Sequence, residues 1–257
     1  MQPRRKQPFR LITVIGFVAL VFGSMGSLNS VAAQGTPEAA ADIGNCVEAL
    51  GIGAEGDACI NGVHASPNAP AVDVYLDGAA ALEGLEFGSI SGWVSVPAGD
   101  HQVQVTPTGE AAAVIDAMVT LEAGAAYHLA ATGLVAEIAP AIYQVDLSML
   151  EPEMARIGVL HTAPDAPAVD IAVTGGDVLV ENLEFPNASG HLVVPAASYD
   201  LEVRPTGTED VALALPGVAL EAGMVYDVFA IGLLEDGSLN VLVVSSPTAP
   251  GMATPAA

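Results

Sequence analysis

The chain contains one stretch of sequence twice, and no other feature limits its fold as tightly. Val63-His64-Ala65-Ser66-Pro67-Asn68-Ala69-Pro70-Ala71-Val72-Asp73-Val74 returns as Leu160-His161-Thr162-Ala163-Pro164-Asp165-Ala166-Pro167-Ala168-Val169-Asp170-Ile171. Further matches follow in the same order. Leu85-Glu86-Phe87 pairs with Leu183-Glu184-Phe185, Pro107-Thr108-Gly109 with Pro205-Thr206-Gly207, and Leu121-Glu122-Ala123-Gly124 with Leu220-Glu221-Ala222-Gly223. The offset drifts only from 97 residues at His64/His161 to 99 at Tyr127/Tyr226, so the copies are collinear. A period of that length is a whole domain and not a solenoid repeat. Two tandem domains are therefore expected at 60–148 and 157–246, joined by a linker at 149–156. The Leu150-Glu151-Pro152-Glu153 linker reads as a charged hinge, which predicts an extended pair of modules.

Within each copy the short-range pattern is that of strands. Val72-Asp73-Val74-Tyr75-Leu76 and Gln102-Val103-Gln104-Val105 alternate apolar and polar residues, the mark of a half-buried strand. Turn signals such as Val96-Pro97-Ala98-Gly99 recur between them, and no helical periodicity is sustained. The fold class is all-β: two tandem immunoglobulin-like antiparallel β-sandwich domains. Leu121 and Tyr127, like Leu220 and Tyr226, bracket a glycine turn at six-residue spacing. That spacing fits the tyrosine corner of Greek-key sandwiches, in which the phenol ties down a turn. The competing reading is two ordinary strand tyrosines.

Two features bear on the compartment. Arg4, Arg5, Lys6 and Arg10 precede an apolar run from Leu11 to Phe22, with the small residues Val31-Ala32-Ala33 beyond it. This is a signal-peptide pattern spanning 1–33, with cleavage after Ala33; the apolar run is too short to cross a bilayer. Whether export is Sec or Tat is left open by Arg4-Arg5, because Lys6-Gln7 lacks the apolar residues expected next. Cys46 and Cys59, in the segment 34–59, are the only cysteines, and in an oxidising compartment they form the one possible intrachain disulfide. A two-cysteine metal site competes, but only carboxylates lie near enough in sequence to complete it. Residues 247–257 are Pro/Ala/Thr-rich and read as a disordered tail without an anchor.

Charge narrows the partners. The chain has 30 acidic and 6 basic residues, and beyond Arg10 only Arg156 and Arg204 are basic. Nucleic acid and anionic membrane are excluded as partners, since both need cationic contacts. A cell-envelope component, a polysaccharide or another surface protein is left.

The most conspicuous chemical groups are the repeated ones: His64, Pro67, Pro70 and Asp73, with His161, Pro164, Pro167 and Asp170. If His64/Asp73 and His161/Asp170 face each other, each pair could orient a water or offer two metal ligands, as in a secreted hydrolase or a metal-binding domain. The alternative is that they pin a proline-rich loop, since the loop's own residues repeat with them. Calcium is a second candidate, with Asp73, Asp77 and Glu83 as oxygen ligands; the other copy offers only Asp170, Thr174 and Glu181. A solvated acidic face explains the same residues. Trp93, the only tryptophan, aligns with His191 and is read as either a sugar-stacking ring or a core residue. No nucleophile elbow, Ser-x-x-Lys or zinc-protease motif occurs, so no catalytic residue and no cofactor is assigned.

The segments His64–Val74 with Val96–Gly99, and His161–Ile171 with Val194–Ala197, resemble a bacterial family of secreted and surface domains of unknown function, DUF4397. In the second copy Ala197 stands where the family's turn has glycine. The resemblance covers both repeats and implies a β-sandwich and an envelope location. It supplies no activity. Together these features predict an exported, non-catalytic binding or structural module.

Overall fold

A computed structural model describes residues 44–250. The expected signal peptide 1–33, residues 34–43 and residues 251–257 of the expected tail 247–257 lie outside the described residues, whereas Pro247 ends a strand and the Thr248 and Ala249 N–H groups donate to the Gly223 and Leu147 carbonyls. A five-residue helix, α1 (Cys46–Leu50), opens the described chain. It is too short to persist alone. Asn45 caps it by accepting from the Val47 N–H, and Cys46 is disulfide-bonded to Cys59.

The first copy runs β1 (Asp57–His64), β2 (Val72–Leu76), β3 (Ala79–Leu85), β4 (Ile90–Pro97), β5 (Gly99–Pro107), β6 (Ile115–Leu121), β7 (Ala126–Thr132) and β8 (Ala139–Val145). Its two sheets have the orders β3-β2-β5-β6 and β4-β1-β7-β8. The second copy repeats this with β9 (Met154–His161), β10 (Val169–Val173), β11 (Val178–Leu183), β12 (Ala188–Pro195), β13 (Ser198–Pro205), β14 (Leu213–Ala219), β15 (Met224–Ile231) and β16 (Asn240–Pro247). Their orders are β11-β10-β13-β14 and β12-β9-β15-β16. The chain is thus all-β, two tandem sandwiches, as the alternation implied. Pairing is antiparallel except for β1 with β7 and β9 with β15, which run parallel.

Alternation explains each core. Ala58 and Ile60 of β1, Val72 and Val74 of β2, Val103 and Val105 of β5 and Tyr127 of β7 point between the sheets of the first sandwich. The Tyr127 hydroxyl accepts from the Glu122 N–H at 3.2 Å, and Tyr226 accepts from Glu221 at 3.0 Å. Each phenol therefore ties its own glycine turn to the strand that follows.

The opposite faces of β1, β7, β9 and β15 are buried too. Val63, Ala65, Ala130 and Tyr143 of the first copy share one apolar cluster with Leu160, Phe229, Ile231 and Val244 of the second. The sheet β4-β1-β7-β8 therefore packs against β12-β9-β15-β16. The expected extended arrangement is not what forms. The expected linker also gives its last three residues, Met154 to Arg156, to β9. Arg156 is buried and donates to the Asp146 and Ser148 carbonyls and to Ser148 Oγ, which clamps the chain leaving β8. A pair of sheets with their outer faces free would have let residues 149–153 act as a hinge; the shared apolar cluster removes that freedom.

Candidate functional site

The repeated motif lies where β1 and β9 leave their sheets. His64 is fully buried, and its Nε2 meets the Pro70 carbonyl at 2.9 Å; His161 Nε2 meets the Pro167 carbonyl at 3.0 Å. His64 Nδ1 accepts from the Ser66 N–H. Each histidine thus closes its own proline loop, and Phe87 or Phe185 stands edge-on to the ring. The loop tips repeat the logic. Asn68 Oδ1 accepts from Val135 N–H, and Asp165 in the same repeat position accepts from Leu234 and Glu235.

Asp73 and Asp170 work elsewhere. Asp73 Oδ1 accepts from the Gly84 N–H at 2.7 Å and the Thr108 hydroxyl at 2.9 Å. Asp170 accepts from Asn182 N–H, Thr206 hydroxyl and Gly207 N–H. Gly84 and Asn182 both sit at positive φ, where β3 and β11 bulge beside β2 and β10, so the aspartate holds the bulge in each copy. These bonds, led by the one from Gly84 or Asn182, keep both carboxyls below the ordinary aspartate range. The expected His64/Asp73 and His161/Asp170 pairs do not form. In each pair the histidine and the aspartate belong to different sheets and tie down different loops. That removes the geometric basis for a hydrolase or metal site made of these pairs.

The calcium reading fails for a related reason. Asp77 Oδ2 lies 2.6 Å from His101 Nδ1 and its Oδ1 accepts from the Gln102 N–H. Its oxygens already have donors, as those of Asp73 do. Among the described residues, no group of three or more His, Cys, Asp or Glu is placed to hold a metal ion. The cysteines make the disulfide and not a metal site.

Burial pushes the pKa of His64 and of His161 below the ordinary histidine value, against the carbonyl bonds that raise it. Such a group binds its proton more readily in the unfolded chain, so its contribution to stability falls as pH drops through about 6.5. The stability difference between wild type and His64→Gln, from urea unfolding, should therefore be larger at pH 7.5 than at pH 5. His101, whose pKa Asp77 raises, acts with the opposite sign but is common to both proteins and cancels. A difference independent of pH would show that His64 is not held neutral by the fold.

A further buried polar cluster is one the repeats do not advertise. Between the two sandwiches Asp227 of β15 is 2% exposed. Its Oδ2 lies 3.0 Å from His128 Nε2 of β7, and its Oδ1 lies 2.8 Å from His191 Nε2 of β12. Burial acts to raise the Asp227 pKa, but the two histidines outweigh it and hold the carboxyl below the ordinary range. Trp93 of β4 lies over His128 with ring centres 5.1 Å apart and donates from Nε1 to Ser246 Oγ of β16. The half-buried indole thus has its N–H and one ring contact engaged at this boundary. Gly158 leaves room for the arrangement: a Cβ there would come within 3.0 Å of Asp227 Oδ1 and of the His191 ring. Sequence reasoning missed this cluster because it looked for residues that repeat. His128 aligns with Asp227 and Trp93 with His191, so the signal was in the positions where the copies differ.

Comparison with known proteins adds a family. The model described as a domain of unknown function (DUF4397) matches residues 58–172 and again 159–255. No curated protein matches the chain. Among solved structures, the Bacillus anthracis TIE protein is 12% identical over 69% of this chain, with a TM-score of 0.22. The chain spans 34% of that protein's length. The module CBMbc (family CBM26) of Eubacterium rectale Amy13K, solved with maltoheptaose, is 10% identical over 76% of this chain and 98% of its own, with a TM-score of 0.24. Likeness at this level carries nothing about function.

Proposed function

The chain belongs to the DUF4397 family, twice over, and on that premise we propose that it is an exported, non-catalytic binding module of the cell envelope or extracellular space. Three things support export: the signal-peptide pattern, the Cys46–Cys59 disulfide, and a surface with almost no basic residues. The single observation that carries the binding reading is how the polar residues are deployed. The repeated histidines and aspartates are bonded to loops, and one sheet of each copy is covered by the other copy. The sheets β3-β2-β5-β6 and β11-β10-β13-β14 are left to face outward.

On the first of these, Tyr75, Gln102, Gln104, Asp116 and Met118 are neighbours on one face of paired strands. Both carboxylate oxygens of Asp116 accept from the glutamines, Oδ1 from Gln102 Nε2 at 2.7 Å and Oδ2 from Gln104 Nε2 at 3.0 Å. The amides are thereby fixed, with their oxygens available to accept. Such a set of amide, carboxylate and phenol suits a hydroxyl-rich polymer, whose groups both donate and accept, with the tyrosine ring as an apolar platform. The second copy lacks it: Ala172 and Glu202 stand at the positions of Tyr75 and Gln104, and Glu202 is engaged by Arg204. A polysaccharide of the envelope, bound through the first copy, is the partner this reading favours.

The test is co-sedimentation of residues 34–257 with envelope material stripped of its own surface proteins. Saturable binding that weakens at least tenfold in the Gln102→Ala/Gln104→Ala variant is expected. A wild-type protein that stays in the supernatant would sink the reading, and equal binding by the variant would move the site off this sheet.

A further inference from the structure

The four side chains at the boundary form a row: Trp93, His128, Asp227, His191. In repeat positions this row is a palindrome. Asn61 of β1 pairs with Trp93 on one side and His128 on the other; Gly158 of β9 pairs in the same way with His191 and Asp227. Trp93 and His191 are therefore equivalent outer residues, and His128 and Asp227 equivalent inner ones. Inner meets inner across the boundary. This is the signature of an interface built about a local two-fold axis, where a residue near the axis meets its own counterpart.

In a true homodimer of either copy the counterpart would be the same residue. Two first copies would set His128 against His128. Two second copies would bring two Asp227 carboxylates together with almost no water, an arrangement in which both cannot remain ionised. We propose that this face is a pairing surface specific for unlike copies: the divergence of His128 from Asp227, and of Trp93 from His191, makes each copy fit the other and reject itself. Its partner is the other half of the same chain. Gly158 belongs to the same device, because His191 reaches Asp227 across the space that a side chain at 158 would fill. The chain consequently satisfies this surface internally.

The full chain tests this. His128→Asp recreates the like pairing of two carboxylates and should lower the folding equilibrium constant about 100-fold or more. Combining it with Asp227→His restores one unlike pair with the halves reversed, and should recover at least tenfold over His128→Asp alone. A double variant no more stable than His128→Asp overturns the proposal. Should His128→Asp fail to fold, a second measurement decides. A protease site placed between Leu150 and Glu153 of the otherwise wild-type chain is cut after folding. Cut protein of normal and heavy isotope composition is then mixed, unfolded and refolded, and read by native mass spectrometry. Pairs of one first half with one second half are expected, in all isotope combinations. Like pairs at comparable abundance overturn the proposal.

Discussion

Replacing His128 with alanine should destabilise the folded protein by about 3–5 kcal/mol, the range for a buried charge left without its partner. The reason is the carboxylate left behind. Asp227 is 2% exposed, and without His128 its Oδ2 loses its 3.0 Å partner while His191 holds only Oδ1. The loss of ring packing against Trp93 and Phe229 acts in the same direction. The effect has a pH signature that a simple cavity would not give. Asp227 has a depressed pKa in the folded state, so its contribution to stability is present above the unfolded aspartate value near 4 and is lost as pH falls through the folded value. The gap between wild type and His128→Ala should therefore be widest near neutral pH and narrow as the solution is acidified below about 4. Guanidinium unfolding at pH 7 and pH 3 measures both. A loss under 1 kcal/mol at pH 7, or one that does not change with pH, would show that the carboxylate is not what His128 supports.

The repeat and the strand alternation were enough to read two sandwiches, because period two and turn chemistry are local properties of the chain. The motif was legible as a motif, but its partners were not. His64 reaches a carbonyl six residues away and Asp73 reaches Gly84 and Thr108, and no spacing rule separates those outcomes from a His–Asp pair. The packing of the copies was harder still. It left one trace: Ala58 to His64 and Ala155 to His161 are buried on both faces, so these strands read as continuous uncharged runs broken only by Arg156. A strand at the rim of an extended module would have shown polar residues at Cys59 and Val63 as well as at Asn61. The charged hinge at Glu151 and Glu153 pulled the other way, and tertiary burial decided the matter. The cluster at Asp227 came from divergence between repeats, which a search for retained residues discards.

Opening the Cys46–Cys59 disulfide is the second large perturbation. The bond spans 13 positions, and closing a loop of that size limits the unfolded chain by about 3 kcal/mol in the chain-entropy model. The folded state depends on it in a second way. Helix α1 has five residues, far below the length that persists in water, and Cys46 is the one buried residue within it. Cys46 and Cys59 sit in a cluster with Ala126, Val145 and Leu147 of the first copy and Val225 of the second, so the helix covers one end of the boundary between the sandwiches. The Cys46→Ser/Cys59→Ser variant should lose about 3 kcal/mol and should also lose amide protection at Ala49 and Gly51, whose N–H groups bond to Asn45 and Val47. Protection in β7 and β15 should persist under native conditions, because the sheets hold their own ladders and the His128–Asp227 contact does not itself use the cysteines. Hydrogen exchange with mass spectrometry separates the two levels. If α1 stays protected without the disulfide, the capping bond of Asn45 and the apolar cluster hold it, and the staple acts on the unfolded chain alone. If β7 and β15 also become labile, the covered end is what keeps the two sheets together, and the cysteines rather than the buried aspartate govern how the copies stay paired.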